Sequence, residues 1–185
     1  GLDAGDEPSE AERAAAARLR ANPCGALGLT WPEDGPLPIT YFTDIRCPSC
    51  RVLEASLAGI ARDEPDLFRV SIREFPIFGP RSEAAARAIR AAAGQGASET
   101  MRRQLRTRPA PTSAEGIDAL GRTLDLDPDA LVEAWQGADV ADSLAEDLAL
   151  ARRLGLRGTP GLVVGRTVVE GALPQGFGAR PGRLP

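Results

Sequence analysis

Histidine and lysine are both missing from this 185-residue chain, so all 22 of its basic residues are arginine. Without histidine there is no Ser-His-Asp triad, no Cys-His pair and no histidine-ligated metal site. Aromatic residues make up only 4% of the chain. There is no run of apolar residues long enough to suggest a membrane-spanning helix. No basic stretch is interleaved with aromatics, so the usual footprint of a nucleic-acid partner is missing too. Acidic residues number 26 and the net charge is −4. Any chemistry must therefore come from cysteines, carboxylates, arginines or backbone. The opening GLDAGDEPSE is acidic and unlike a signal peptide, although one removed before this chain begins would leave no mark.

What is present suits one globular domain with a sizeable core. Alanine is abundant, which favours close-packed helices. Residues 9–21 predict a helix, with Ser9 as N-cap and Glu12 at capping-box spacing. A turn-rich lead-in follows. Residues 39–44, ITYFTD, predict a buried strand. Pro48 falls in the first turn of the next helix, whose apolar face carries Leu53, Leu57 and Ile60. Residues 67–75 alternate: Phe68, Val70, Ile72 and Glu74 share one face, and Arg69, Ser71 and Arg73 the other. Strand, helix and strand make a βαβ unit, whose two strands are expected to be parallel neighbours. After PIFGP, residues of about 82–154 predict five helices, one starting near Ser113. The last carries Leu144, Leu148, Ala151 and Leu154 on one stripe. Residues 161–171 predict a hairpin turning at Gly165-Arg166. The tail 175–185, rich in glycine and proline, is expected to be irregular.

Within TDIRCPSCRVLE, Cys47 and Cys50 stand three residues apart. A thiol reacts as thiolate, and a helix N-terminus stabilises that anion through free N–H groups and the helix dipole. Cys47 takes the cap position, Cys50 lies one turn further on, and Arg46 and Arg51 add positive field. Such a pair needs an exposed nucleophile and a shielded second sulfur that resolves the mixed disulfide. The alternatives are two small buried side chains, a zinc site completed by Cys24 and carboxylates, or a two-thiolate Cu(I) site. A CxxC alone is only suggestive. After a strand, opening a helix within a βαβ unit, it is a strong redox signal.

YFTDIRCPSCRVLE, REFPIFGPRSEAAARAIRAA and LGLRGTPGLVVGRTVVEGA together resemble the DsbA-like thiol-disulfide oxidoreductases of bacterial envelopes, in particular the DsbA/Com1 type. The resemblance spans residues 36–174 in the family's order. It implies an α/β thioredoxin-like fold with an all-helical insertion at about 82–154, preceded by a lead-in over 1–35. It implies a redox pair at Cys47 and Cys50, with Pro48 and Ser49 between them. A cis-proline loop at Thr159-Pro160 would bind the substrate backbone. No cofactor or metal is implied. The partners would be thiol- or disulfide-bearing proteins and a redox partner that resets the pair. The setting would be periplasmic or otherwise extracytoplasmic. A rival function on the same fold is a Cu(I)-binding or chaperone-like module without turnover.

Four features depart from the family pattern. Ser49 stands where the strongest oxidants carry histidine. Tyr41 stands where relatives often bury an acid, which leaves Glu74 as a candidate for proton transfer with Cys50; a carboxylate reaching solvent or an arginine is the plainer reading. The closing helix after the hairpin has no counterpart, so one sheet face is covered by helix 9–21 or left for a partner. Cys24 is an extra cysteine. The cluster MRRQLRTR (101–108) would either attract acidic proteins or form a solvated helix face. Cys24 lies in turn-rich sequence before the first core strand and is expected to stay out of the redox pair. Thiol labelling of the oxidised, denatured protein should then find one free sulfhydryl; finding none would put Cys24 in a disulfide.

Overall fold

The computed structural model describes residues 10–22, 35–165 and 167–171. Ser9, Cys24 and the tail after Gly171 lie outside them, as does the side chain of Glu12. A four-stranded sheet runs in the order β2-β1-β3-β4. Its strands are β1 (Leu37–Thr43), β2 (Phe68–Glu74), β3 (Gly161–Val164) and β4 (Thr167–Glu170). Helix α1 (Glu10–Ala21) precedes the sheet, and α2 (Pro48–Asp63) joins β1 to β2. Between β2 and β3 run α3 (Pro80–Ala93), α4 (Ser98–Thr107), α5 (Ala114–Thr123), α6 (Pro128–Gln136) and α7 (Ala138–Arg153). This is the expected thioredoxin-like fold with a helical insertion.

Local chemistry sets the element ends. Pro48, Pro80 and Pro128 each open a helix, where the missing N–H costs nothing. Ser113 caps α5 by accepting from the Gly116 N–H, and Asp127 caps α6 by accepting from Asp129 and Ala130. Gly165 takes φ of 62° to turn β3 into β4, a conformation that favours glycine.

β1 pairs in parallel with β2, with Ile39 opposite Val70 and Tyr41 opposite Ile72. It pairs antiparallel with β3, with Tyr41 opposite Leu162. The two sheet faces therefore carry different sets. Ile39, Tyr41 and Leu162 pack with Cys47, Cys50, Leu53 and Leu57 of the α2 side. Phe42 and Val163 on the opposite face pack with Phe75, Ala149, Leu150 and Leu156, where α7 lies. A third cluster joins Ala85, Ala88, Ile89 and Met101 to Ile117 and Leu131 inside the insertion. Small alanine faces let these helices approach closely.

Helix α1 lies along α7 rather than on the sheet. Of the two alternatives for the sheet face, cover by helix 9–21 or a face left for a partner, the first is not what the structure shows. Leu57 and its neighbours cover the centre of one face, but at β2 Phe68 and Val70 are only half-buried and Ile72 is 37% exposed.

A cluster of charges lies buried where β2 meets the insertion. Asp147 of α7 is fully buried and accepts from Arg73, from Arg90 and from the backbone N–H of Glu74. Beside it the Glu74 carboxylate is paired with Arg102 of α4, itself 4% exposed. The cluster pins β2, α3, α4 and α7 to one another. Breaking a buried pair leaves desolvated charge behind, at a cost of about 3–5 kcal/mol. Asp147→Asn is accordingly expected to lower unfolding free energy by about 3 kcal/mol. A urea midpoint within error of wild type would refute this account of the cluster.

Candidate active site

The site forms where β1 ends and α2 begins. Cys47 is the N-cap of α2, in an extended conformation, and its sulfur accepts the Cys50 N–H at 3.3 Å. The first sulfur is thus met by an N–H donor at the open end of the helix. The Cys47 S–H in turn donates to the Thr159 carbonyl at 3.3 Å. This contact joins residues 112 positions apart and brings the loop before β3 onto the first sulfur. The Thr159-Pro160 peptide is cis, and Pro160 is buried. Both sulfurs are free thiols.

Cys47 was expected to be exposed and Cys50 covered. In fact they are 2% and 1% exposed. The Cys47 sulfur is turned in toward the Thr159 carbonyl and the first turn of α2, with Ile39, Tyr41, Leu53 and Leu162 in the same packed cluster. The surrounding surface is more open: Val52 is 70% exposed and Phe78 45%. Pro48 and Ser49 are exposed.

Burial pushes the Cys50 thiol up, and its contact with Cys47 adds to this; hydrogen bonds from Thr43, Asp44 and Tyr41 pull part of the way back. Its neighbours Tyr41 and Thr43 lead to a carboxylate that sequence reasoning missed. The Tyr41 hydroxyl lies 3.3 Å from the Cys50 carbonyl and 3.5 Å from Glu54 Oε1. The Thr43 hydroxyl lies 3.4 Å from the same Glu54 oxygen. Glu54 stands one helical turn beyond Cys50, and its other oxygen meets Arg106. The available signal was the i+4 spacing from Cys50, which puts Glu54 on the helix face of that cysteine. Burial drives the Tyr41 hydroxyl far above the ordinary phenol range, so it stays protonated and can donate.

Glu74 matches the plainer of its two readings, a carboxylate that reaches an arginine. It shares a sheet face with Tyr41 and ends β2 opposite Thr43, where its carboxylate is engaged by Arg102. Burial raises its carboxyl, and Arg102 and Arg90 pull it back. Among the described residues no group of three or more histidine, cysteine, aspartate or glutamate side chains is arranged to hold a metal ion.

Similar folds occur in known proteins. A thioredoxin-like oxidoreductase from Silicibacter pomeroyi DSS-3 superposes with a TM-score of 0.67 at 33% identity, covering 77% of this chain and 82% of its own. The thiol-disulfide exchange protein alpha-DsbA2 from Wolbachia pipientis gives 0.66 at 20% identity, with 91% and 94% covered. The catalytic domain of Proteus mirabilis ScsC gives 0.63 at 24% identity, with 88% and 91% covered. No curated protein sequence matches the chain. The family model of the DSBA-like thioredoxin domain matches residues 38–180, a span that holds both cysteines, the helical insertion and the Thr159-Pro160 loop, and the chain belongs to that family of thiol-disulfide oxidoreductases.

Proposed function

We propose that this protein exchanges disulfides with protein thiols, with Cys47 as the nucleophile and Cys50 as the resolving thiol. The observation that carries this is the Cys50 N–H donated to the Cys47 sulfur at the head of α2. Cys47 attacks one sulfur of a client disulfide; a Cys47–client bond forms and the other client sulfur leaves as thiolate. Cys50 then attacks the Cys47 sulfur. The Cys47–Cys50 disulfide forms, the second client sulfur leaves and takes up a proton, and the client is reduced by two electrons. Run backwards, the same steps oxidise a client. Pro48 and Ser49 add no titrating group between the two sulfurs. Client cysteines enter past Thr159 and Pro160: the Thr159 carbonyl, now held by the Cys47 thiol, is freed to pair with an extended client backbone once that sulfur has reacted. Such chemistry suits an oxidising, extracytoplasmic compartment. A periplasmic thioredoxin-like protein from Salmonella enterica serovar Typhimurium shares the fold.

Resolution requires that Cys50 lose its proton, and burial keeps that proton on. Thr43 and Tyr41 are side-chain partners of the Cys50 thiol, and both hydroxyls lie within 3.5 Å of the Glu54 carboxylate, so Glu54 is the base we assign to this step, the proton passing through a hydroxyl.

Two outcomes are expected. Cys50→Ala should accumulate a mixed disulfide between Cys47 and clients, visible as a reductant-sensitive adduct by mass spectrometry; trapping by Cys47→Ala instead would reverse the roles. Glu54→Gln should leave the first attack unchanged and slow resolution by about 10²-fold near neutral pH, the scale of a lost general base. With its thiol pushed up, Cys50 gains thiolate only as pH rises, so the deficit should shrink toward alkaline pH. A deficit equal at all pH values would point to a packing defect rather than proton transfer.

A further inference from the structure

The molecule is acidic overall, yet five arginines gather around one cavity beside the redox helix. It holds about 440 Å³ and is lined by Arg46, Arg51, Arg81, Arg106 and Arg108, with no acidic residue in its wall. They come from separate elements: the β1–α2 loop, α2, the start of α3, and the end of α4 with the loop after it. Ile45, Leu105 and Ala110 supply an apolar floor.

Their charges are poorly matched within the chain. Arg46 donates to the Phe78 carbonyl at 3.0 Å, a neutral partner. Arg106 is shared with Glu54, and its Nε is buried without a hydrogen-bond acceptor. Among the described residues Arg51, Arg81 and Arg108 form no ion pair, although the chain carries 26 acidic side chains. Clustered like charges repel, so this grouping costs stability unless an anion visits it.

We infer that the cavity is a specificity site for clients: it takes the carboxylate side chains of an acidic peptide segment flanking the cysteine under attack. Arg46 directly precedes Cys47 and Arg51 directly follows Cys50, so a chain seated in the cavity is within a few residues of the reacting sulfur. Arginine forks pair with carboxylates in two-point fashion, and the apolar floor receives the methylenes of Glu side chains. The net charge of −4 opposes a long polyanion such as a nucleic acid, whereas a short acidic segment meets mainly the local arginines. This inference rests on the exchange activity proposed above for where the ligand comes from, but not for the binding itself.

The test uses two synthetic peptides that differ only in the residues flanking one cysteine, Asp and Glu in one and Ser and Asn in the other. Each is offered as a mixed disulfide with a neutral small thiol. Reaction with the reduced protein should be about tenfold faster for the acidic peptide at low salt, the lower end of electrostatic steering, and the advantage should vanish in high salt. The R81S/R108S variant, altered at two exposed positions, should lose most of that advantage while its rate with the neutral peptide is unchanged. A second measurement replaces the peptide cysteine with alanine, so no exchange can occur, and follows binding by fluorescence anisotropy. The acidic form should bind wild type at least about fivefold more tightly than R81S/R108S, as expected for two partly exposed charge pairs. Binding without exchange would sustain the cavity and overturn the redox assignment. Equal binding of acidic and neutral peptides, or no loss in R81S/R108S, would overturn the cavity inference whatever the exchange rates.

Discussion

One buried carboxylate organises the redox end of the molecule. Asp44, 2% exposed, follows the last residue of β1. One of its oxygens accepts from the Arg46 N–H and the Ser82 hydroxyl, the other from the Ile77 and Phe78 N–H groups, while its backbone carbonyl accepts from Cys47 N–H. A charge this deep is tolerable only when its acceptor capacity is filled, and four donors fill it. The donors come from the loop ahead of α2 and from the chain entering α3. A single side chain therefore sets the angle at which α2 leaves the sheet and ties the insertion to that point. The cap geometry of Cys47 and the placing of Arg46 and Arg81 beside the cavity both depend on this junction.

A second polar knot, around Asp147, holds the other end of the insertion. The two differ in kind. Asp44 gathers backbone donors and one hydroxyl, and so fixes chain direction. Asp147 and Glu74 gather guanidinium groups from three elements, which fixes how packed elements sit against one another. The alanine-rich interfaces between the helices are smooth, and apolar packing of small residues alone leaves sliding inexpensive. Directional charge pairs supply the register that those interfaces lack.

The local features were legible in the sequence because their causes are local. Proline at a helix start, Ser113 at a cap and alternation in β2 each act over a few residues, and the βαβ unit with its cysteine pair follows from their order. Pairings across the chain were not. Glu54 and Arg106 are each ordinary charged residues on a helix, and only the fold brings them together beneath Tyr41. The same holds for Glu74: its strand face was correctly placed, but the face alone could not say which arginine would pair with it. The burial of Cys47 depends on Thr159, more than a hundred residues away, so helix-end logic predicted an open sulfur where the tertiary contact closes it.

That closure changes what the sulfur is exposed to between encounters. Peroxide and other diffusible oxidants carry a reachable thiolate to sulfenic acid and then, without a nearby thiol, to irreversible sulfinic and sulfonic forms. Cys47 is 2% exposed, and Cys50 is next to it. Chance oxidants reach it rarely, and one that does leaves a sulfenic acid that Cys50 can convert to a disulfide. The damaging reaction thus ends in the same bonded state that the proposed exchange cycle passes through, and any reductant that resets the pair in that cycle also repairs it.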